Sequence, residues 1–461
     1  MKKSIKLILL LSVIYLDVYG QSNSLNLLNE EKWKCEITFE NHLGPFNTFL
    51  IINYQNSVEF AAHSLTNADK RIFGNIKATL ARILKKSPKK GIFIKITDGK
   101  VVSKFNVDSL YGTIHIPMVG NKNFKAVKLN DSIFGSILDS NEIIGHLNCI
   151  KTQSGFYMDY NGLNQRIIDT VKKYIYNPEL LETRQWKRFV KKIDKLSDRV
   201  FDDVEYFLGF NLLSQKLSFS HFNLFIFSQS PDIQSESGKK YLFLTEISKN
   251  TALLDIKSFG GLSDEIDSIF NIILNKNYKN LIIDLRNNSG GGLNSAISFG
   301  EYISNRELNA GFFVTNNWYR DSNNKNDTLN FSRIPVTSAT STSTFIEELK
   351  HTIGKQLVIA PGKKTFKGKV YILTSNKTAS TCEPIIYALK KNKLATVVGE
   401  RTAGAMLSAS IFRVSDKYYI FLPIADYYTS DGQRLDQIGV EPNVIVNSED
   451  ALNFVIDNLL N

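Results

Sequence analysis

Ser380 stands where a hydroxyl can become a nucleophile. The run Gly368-Lys369-Val370-Tyr371-Ile372-Leu373-Thr374 is apolar and β-branched and ends in Ser375-Asn376-Lys377, which predicts a buried strand and then a turn. Ile385, Ile386, Ala388 and Leu389 recur at helical spacing up to Lys390-Lys391-Asn392, so a helix is expected to begin near Ser380. Pro384 suits its first turn, where a missing N–H costs no intrahelical bond. The free amides of a helix start favour negative charge, which is half of what an acyl-transfer site needs. A serine in such a place, taken alone, is more commonly a helix cap. Cys382 is a second candidate nucleophile, because a helix start lowers a thiol pKa. Two residues past Ser380 it should point off another side of the turn, as a small buried thiol.

A second junction has the same form. Asn280-Leu281-Ile282-Ile283-Asp284-Leu285 reads as a strand that runs into Arg286-Asn287-Asn288-Ser289-Gly290-Gly291-Gly292 and then a helical pattern from Leu293 to Ile303. Successive glycines let the backbone come close to a ligand and turn amides inward. A phosphate loop is disfavoured, since neither a Gly-Lys-Ser/Thr ending nor GxGxxG is present. These two junctions, with Val397-Val398-Gly399-Glu400-Arg401-Thr402-Ala403-Gly404 and Asp431-Gly432 through Gly439-Val440-Glu441-Pro442-Asn443, resemble the serine peptidases of the C-terminal processing protease and tricorn-core family. The resemblance runs from about Tyr241 to Val446, with the four motifs in the family's order. It implies a ClpP/crotonase-like α/β fold, hydrolysis of peptide bonds, and Ser380 as the nucleophile.

A serine hydroxyl needs a neighbour to take its proton. One branch of the family uses a lysine in the segment that here reads Gly399 to Ala405, and the position expected to carry it is Ala405, which disfavours a serine–lysine dyad. The branch resembling tricorn protease uses an upstream histidine preceded by a serine, with a carboxylate near the C-terminus. Ser220-His221 fits that place, between the helix end Leu212 to Leu217 and the alternating strand Phe222 to Phe227. Asp436 stands where the family usually has a glutamate, one methylene longer; its plain alternative is a turn residue after Asp431-Gly432. The resemblance then implies that His221 takes the proton of Ser380 and returns it to the leaving amine, while Ser220 and Asp436 fix its tautomer. The N–H of Thr381 and one from Gly291 or Gly292 would hold the oxyanion, at roughly 3 kcal/mol per donor. His42, His63, His115 and His146 fall in another region, and His351 in a loop-rich stretch.

Met1-Lys2-Lys3, the apolar run Leu7 to Leu16, and Val18-Tyr19-Gly20 match the three regions of a secretory signal peptide. Export to a periplasm or beyond is expected, with cleavage near Gly20 and no membrane-spanning segment, since the run is too short for one. Only three cysteines occur; Cys35 and Cys149 bracket the first region of the mature chain, which leaves open a disulfide or two buried thiols. Neither cysteines nor histidines have metal-ligand spacing, so no metal and no organic cofactor is expected. The formal charge of +11 falls to +9 when residues 1–20 take three lysines and one aspartate with them. Without nucleic-acid motifs, this basic balance suits an anionic envelope surface better than nucleic acid; the partner the resemblance implies is a peptide or protein substrate.

A chain of 461 residues exceeds one core. After the leader at 1–20, short alternating runs with one helix near Ile76 to Leu84 predict a small β-rich accessory domain over 21–150. Helical periods then predict a helical subdomain over 151–221 that leads to Ser220-His221, and an α/β peptidase core over 222–461. Between His221 and the Asp284 strand there is no room for an inserted PDZ domain of about ninety residues. The polar stretch 311–366 reads as an inserted loop, either a lid or substrate edge or plain disorder. Two rival functions share the fold: an exported binding protein whose site has decayed, which retention of the four candidate residues argues against, and an acyl-CoA enzyme, which the leader argues against.

Overall fold

The computed structural model describes residues 30–460 apart from 41–42, 65–67, 85–91, 106, 118, 156–157, 229–239, 261–262 and 322–329. The expected leader at 1–20 and part of the polar stretch 311–366 lie outside the described residues. The architecture is mixed α/β with an N-terminal β-barrel, in two compact units. One comprises the barrel with residues 200–205; the other comprises 159–199 and everything from 206 on. Among the described residues, no helix is long and apolar enough to cross a membrane.

Eight antiparallel strands, from β1 (Glu30–Phe39) to β8 (Glu142–Lys151), make the barrel, which closes where β1 pairs with β8. Period-two alternation sends every second side chain inward. Trp33, Cys35 and Ile37 of β1 meet Leu50, Ile114, Phe124, Ile137 and Leu147 in a packed interior. The sequence pattern contains the strands but not the closure, because a strand's period does not say which strand lies beside it. Cys35 sits directly opposite Cys149 in the closing pair, and the two sulfurs are bonded.

The second unit is built on two sheets. Five parallel strands, β11 (Thr251–Ile256), β12 (Asn280–Asp284), β15 (Lys369–Thr374), β16 (Thr396–Gly399) and β19 (Val444–Ile445), carry an antiparallel edge strand, β10 (Leu242–Ser248). Both faces are covered, which is why these strands are apolar throughout. On one face Leu281, Ile283 and Ile372 pack with Phe270, Phe299 and Ile386 of three helices; on the other Ile282, Tyr371 and Val398 pack with Ala451 and Val455 of the helix Ala451–Asn458. An antiparallel sheet orders β14 (Gly354–Ile359), β13 (Leu308–Thr315), β18 (Tyr418–Tyr428) and β17 (Ser408–Arg413), with β9 (Asn223–Ile226) also on β18. The stretch 311–366 is therefore not simply an inserted loop. It supplies most of β13, the helix Thr342–Lys350 and β14, because Phe312, Phe313, Val314, Phe345 and Leu349 bury themselves and Ser341 and Thr344 form a reciprocal capping box.

The barrel is closed by one strand pair and cross-linked at that same pair. Replacing both cysteines by serine is expected to lower the barrel's unfolding free energy by about 2–4 kcal/mol. Denaturant titration of the full chain, followed by the fluorescence of buried Trp33, checks this; an unchanged midpoint would show that the bond adds nothing to the ladder.

Candidate active site

Adjacent parallel strands β12 and β15 deliver two loops to the same end of the sheet, and hydrogen bonds stitch these loops together. The Leu285 N–H donates to the Leu373 carbonyl (3.0 Å), the Thr378 hydroxyl to the Leu285 carbonyl (2.7 Å), and the Ala379 N–H to the Asn288 carbonyl (3.1 Å). Asn288 is buried and its side-chain oxygen accepts from Gly290 N–H at 2.8 Å. Gly290 (φ 107°) lies against the serine: a Cβ there would come within 2.7 Å of Ser380 Cβ. Ser380 itself is left-handed, at φ 56°, a conformation that costs a non-glycine residue and that surrounding structure must enforce.

Glu383 does the enforcing. It is fully buried, and one carboxylate oxygen accepts from the Thr402 hydroxyl (2.6 Å) and Gly404 N–H (2.9 Å). The other accepts from the N–H groups of Ala405 and Ser380, both at 3.0 Å. Burial pushes its carboxyl pKa up, and these donors pull the other way. The helix proper is Cys382–Lys391 with Thr381 at the cap position, and the Ser380 hydroxyl makes no hydrogen bond among the described residues. Ser380 is thus not a capping serine, and its side chain lines a cleft of about 490 Å³. Cys382 lies beneath, fully buried, with its thiol 3.6 Å from the Asn288 carbonyl. Burial and the nearby Glu383 charge hold that thiol protonated.

Of the two glycines expected as amide donors, one is already engaged: Gly292 N–H donates to the Phe259 carbonyl at 2.8 Å. Gly291 has no such partner among the described residues, lines the cleft, and is fixed at φ 145°, where a Cβ would sit 2.4 Å from the Gly260 nitrogen. The Thr381 N–H is also without a partner among the described residues. The Thr381 hydroxyl donates to the Gly291 carbonyl at 2.9 Å, which ties the two loops together at the cleft.

His221 lines the same cleft, two residues before β9 begins its pairing with β18, and is left-handed as well (φ 59°). Its Nδ1 lies 2.6 Å from the Ser220 hydroxyl, and that hydroxyl donates to Asp436 Oδ1 at 2.8 Å. A hydroxyl has one hydrogen. If Ser220 gives it to the carboxylate, its oxygen must accept from Nδ1–H, so Nε2 is the ring nitrogen left with a lone pair. Burial lowers the His221 pKa to about 4, which keeps the ring neutral near pH 7. Among the described residues His221 and Ser380 share the cleft without a direct hydrogen bond.

Asp436 is fully buried. Its reach to Ser220 is complete in spite of the shorter side chain, and Arg434 Nη2 is 3.2 Å from its other oxygen. Burial raises its carboxyl pKa against the opposing pull of Ser220 and Arg434. Arg434 also donates through Nε to Asp426 Oδ2 (2.7 Å), and its Nη2 reaches the Tyr176 hydroxyl (3.0 Å). The Tyr319 hydroxyl and Tyr427 N–H complete the shell of Asp426, each at 2.9 Å. Sequence reasoning missed Glu383, Arg434 and Asp426. The available signals were a Ser-x-x-Glu spacing from Ser380 and an acid inside the otherwise apolar run of β18. Among the described residues, no group of three or more His, Cys, Asp or Glu could hold a metal ion.

Residues 250–446 match the profile of peptidase family S41. The chain is similar to a carboxyl-terminal-processing protease of Synechocystis sp., at 26% identity over 165 residues that make up 36% of this chain and 30% of that protein. It is also similar to a carboxy-terminal-processing protease of Bartonella bacilliformis, at 25% identity over 190 residues, 41% of this chain and 36% of that one. The chain spans about a third of the length of these curated relatives. Among solved structures, photosystem II D1 C-terminal processing protease is similar with a TM-score of 0.41 and 13% identity, covering 64% of this chain and 94% of that one.

NMR titration of the His221 ring is expected to keep it neutral until the pH approaches about 4. The unfolded chain takes up that proton first, near pH 6.5, so His221's contribution to stability is intact above pH 6.5 and is lost as pH falls towards 4. A ring midpoint near 6.5 in the folded protein would show that it is solvated rather than buried.

Proposed function

We propose, on the match of residues 250–446 to peptidase family S41, that the protein is an exported serine peptidase working through Ser380, His221, Ser220 and Asp436 on a ClpP/crotonase-like core, with the barrel as an accessory domain. Ser380 Oγ attacks the scissile carbonyl carbon while His221 Nε2 takes its proton. The oxyanion forms between the amides of Gly291 and Thr381. As the C–N bond breaks, His221 passes the proton to the departing amine, and water then releases the acyl group by the same route in reverse. Export rests on the residue pattern of 1–20.

The observation that carries this reading is the His221–Ser220–Asp436 chain at 2.6 and 2.8 Å, which leaves an unprotonated Nε2 in the cleft that Ser380 lines. A second reading, a catalytically silent binding protein, is favoured by the missing direct bond between His221 and Ser380. Apo sites often close that distance only when substrate is bound, so the two readings call for a chemical test. A fluorophosphonate probe is expected to label the wild type and not Ser380→Ala; equal labelling of the two, or none of either, would defeat the peptidase assignment.

The substrate cleft also has a character. Leu293, Ile297, Phe345, Ile346, Leu357 and Ile359 are among its lining residues, so an apolar side chain gains by entering and a carboxylate loses its hydration. Paired peptides with Phe or Asp on the acyl side of the scissile bond are expected to differ by about 100-fold or more in kcat/KM, favouring Phe. Equal turnover would mean that this wall does not read the substrate.

A further inference from the structure

The barrel carries an apolar face on its outside, and the strand register locates it. Outward residues fall in rows through directly paired positions. Across β4 (Lys95–Lys104), β5 (Val107–Ile116), β6 (Gly120–Leu129) and β7 (Ser132–Asp139), Val102 pairs with Ser109, Ser109 with Val127, and Val127 with Phe134. The neighbouring pair Val101 and Leu110 turns inward and is buried. One step towards the hairpin ends, Lys104 pairs with Val107, and Ser132 joins Leu129 to Ile150. One step the other way, Tyr111 stands between Lys100 and Lys125.

The apolar members of these rows face solvent. Phe134 is 56% exposed, Ile150 64%, Val102 45% and Leu129 43%. Phe105, at the tip joining β4 to β5, is 99% exposed and held at φ 50°. Isolated exposed hydrophobics are ordinary, whereas a contiguous patch marks an interaction site. Its border is basic: Lys100, Lys104 and Lys125 are exposed, and none of them is in an ion pair among the described residues. Of the nearby acids, Glu59 lies opposite Lys100 and accepts from the Asn56 side chain, Asp108 accepts from the Ser103 hydroxyl, and Glu31 pairs with Lys128 and Lys151.

We propose that this face docks on an anionic lipid surface, with Phe105 and Phe134 entering the headgroup region and Lys100, Lys104 and Lys125 against the lipid phosphates. A fully exposed aromatic at a convex hairpin tip suits a deformable interface, and the lysine border supplies the charge complementarity. A second copy of the chain fits worse, since it would set these lysines against their own kind.

The test is co-sedimentation of the full chain with vesicles of phosphatidylcholine, with and without phosphatidylglycerol. Binding is expected only to the anionic vesicles and should fall with added salt. Lys100→Gln and Lys104→Gln should each weaken it about fivefold, and Phe134→Asp by about tenfold or more. The glutamine variants keep the apolar face, so loss of binding in them cannot come from a collapsed barrel. Failure of the wild type to bind anionic vesicles, or binding that none of these variants changes, would overturn the proposal. Self-association abolished by Phe134→Asp, with no vesicle binding, would overturn it in favour of a second copy.

Discussion

The buried carboxylate of Glu383 gathers four donors from two separate segments: the Ser380 amide from one, and the Thr402 hydroxyl with the amides of Gly404 and Ala405 from the other. A carboxylate taken out of water needs its lone pairs satisfied, and here the satisfaction shapes the site. Drawing in the Ser380 N–H bends that residue into the left-handed region, which turns its hydroxyl away from capping duty and leaves the next amide, that of Thr381, without an internal partner. The same carboxylate secures the loop from Thr402 to Ala405, where Ala405 contributes its backbone N–H rather than a side chain.

A second buried cluster sits behind the histidine. Asp426 and Asp436 share one guanidinium, Arg434. Burial works against the Arg434 charge, but the two carboxylates outweigh it and raise its pKa. With both acids ionised the group carries one net negative charge while His221 is neutral. When the ring accepts a proton the deficit disappears, so the proton transfer that the proposed chemistry requires is the event that balances this interior.

Much of this arrangement could be read from residue order. The apolar strands before Arg286 and Ser375, the helix beyond Ser380 and the three-glycine loop are local patterns, and local patterns are what a sequence displays. His221 and Asp436 were legible only through likeness to a family, because 215 positions separate them and one hydroxyl, that of Ser220, joins them. That the Phe259 carbonyl takes the amide of Gly292 and not that of Gly291 is a contact made by an isolated bridge that no spacing encodes. Arg434 sits in a polar turn with nothing local to mark it, and its partner Tyr176 is 258 residues away. The stretch 311–366 misled for a different reason: its polar composition hid the short apolar runs that β13 and the helix Thr342–Lys350 bury.

The closed barrel has one more implication. A domain that recruits peptides by adding them as an extra strand must leave a sheet edge with unpaired backbone groups. Here β1 pairs with β8 and the ring has no edge. Whatever this unit captures, it must hold through side chains and surface shape rather than by adding a strand to the ring.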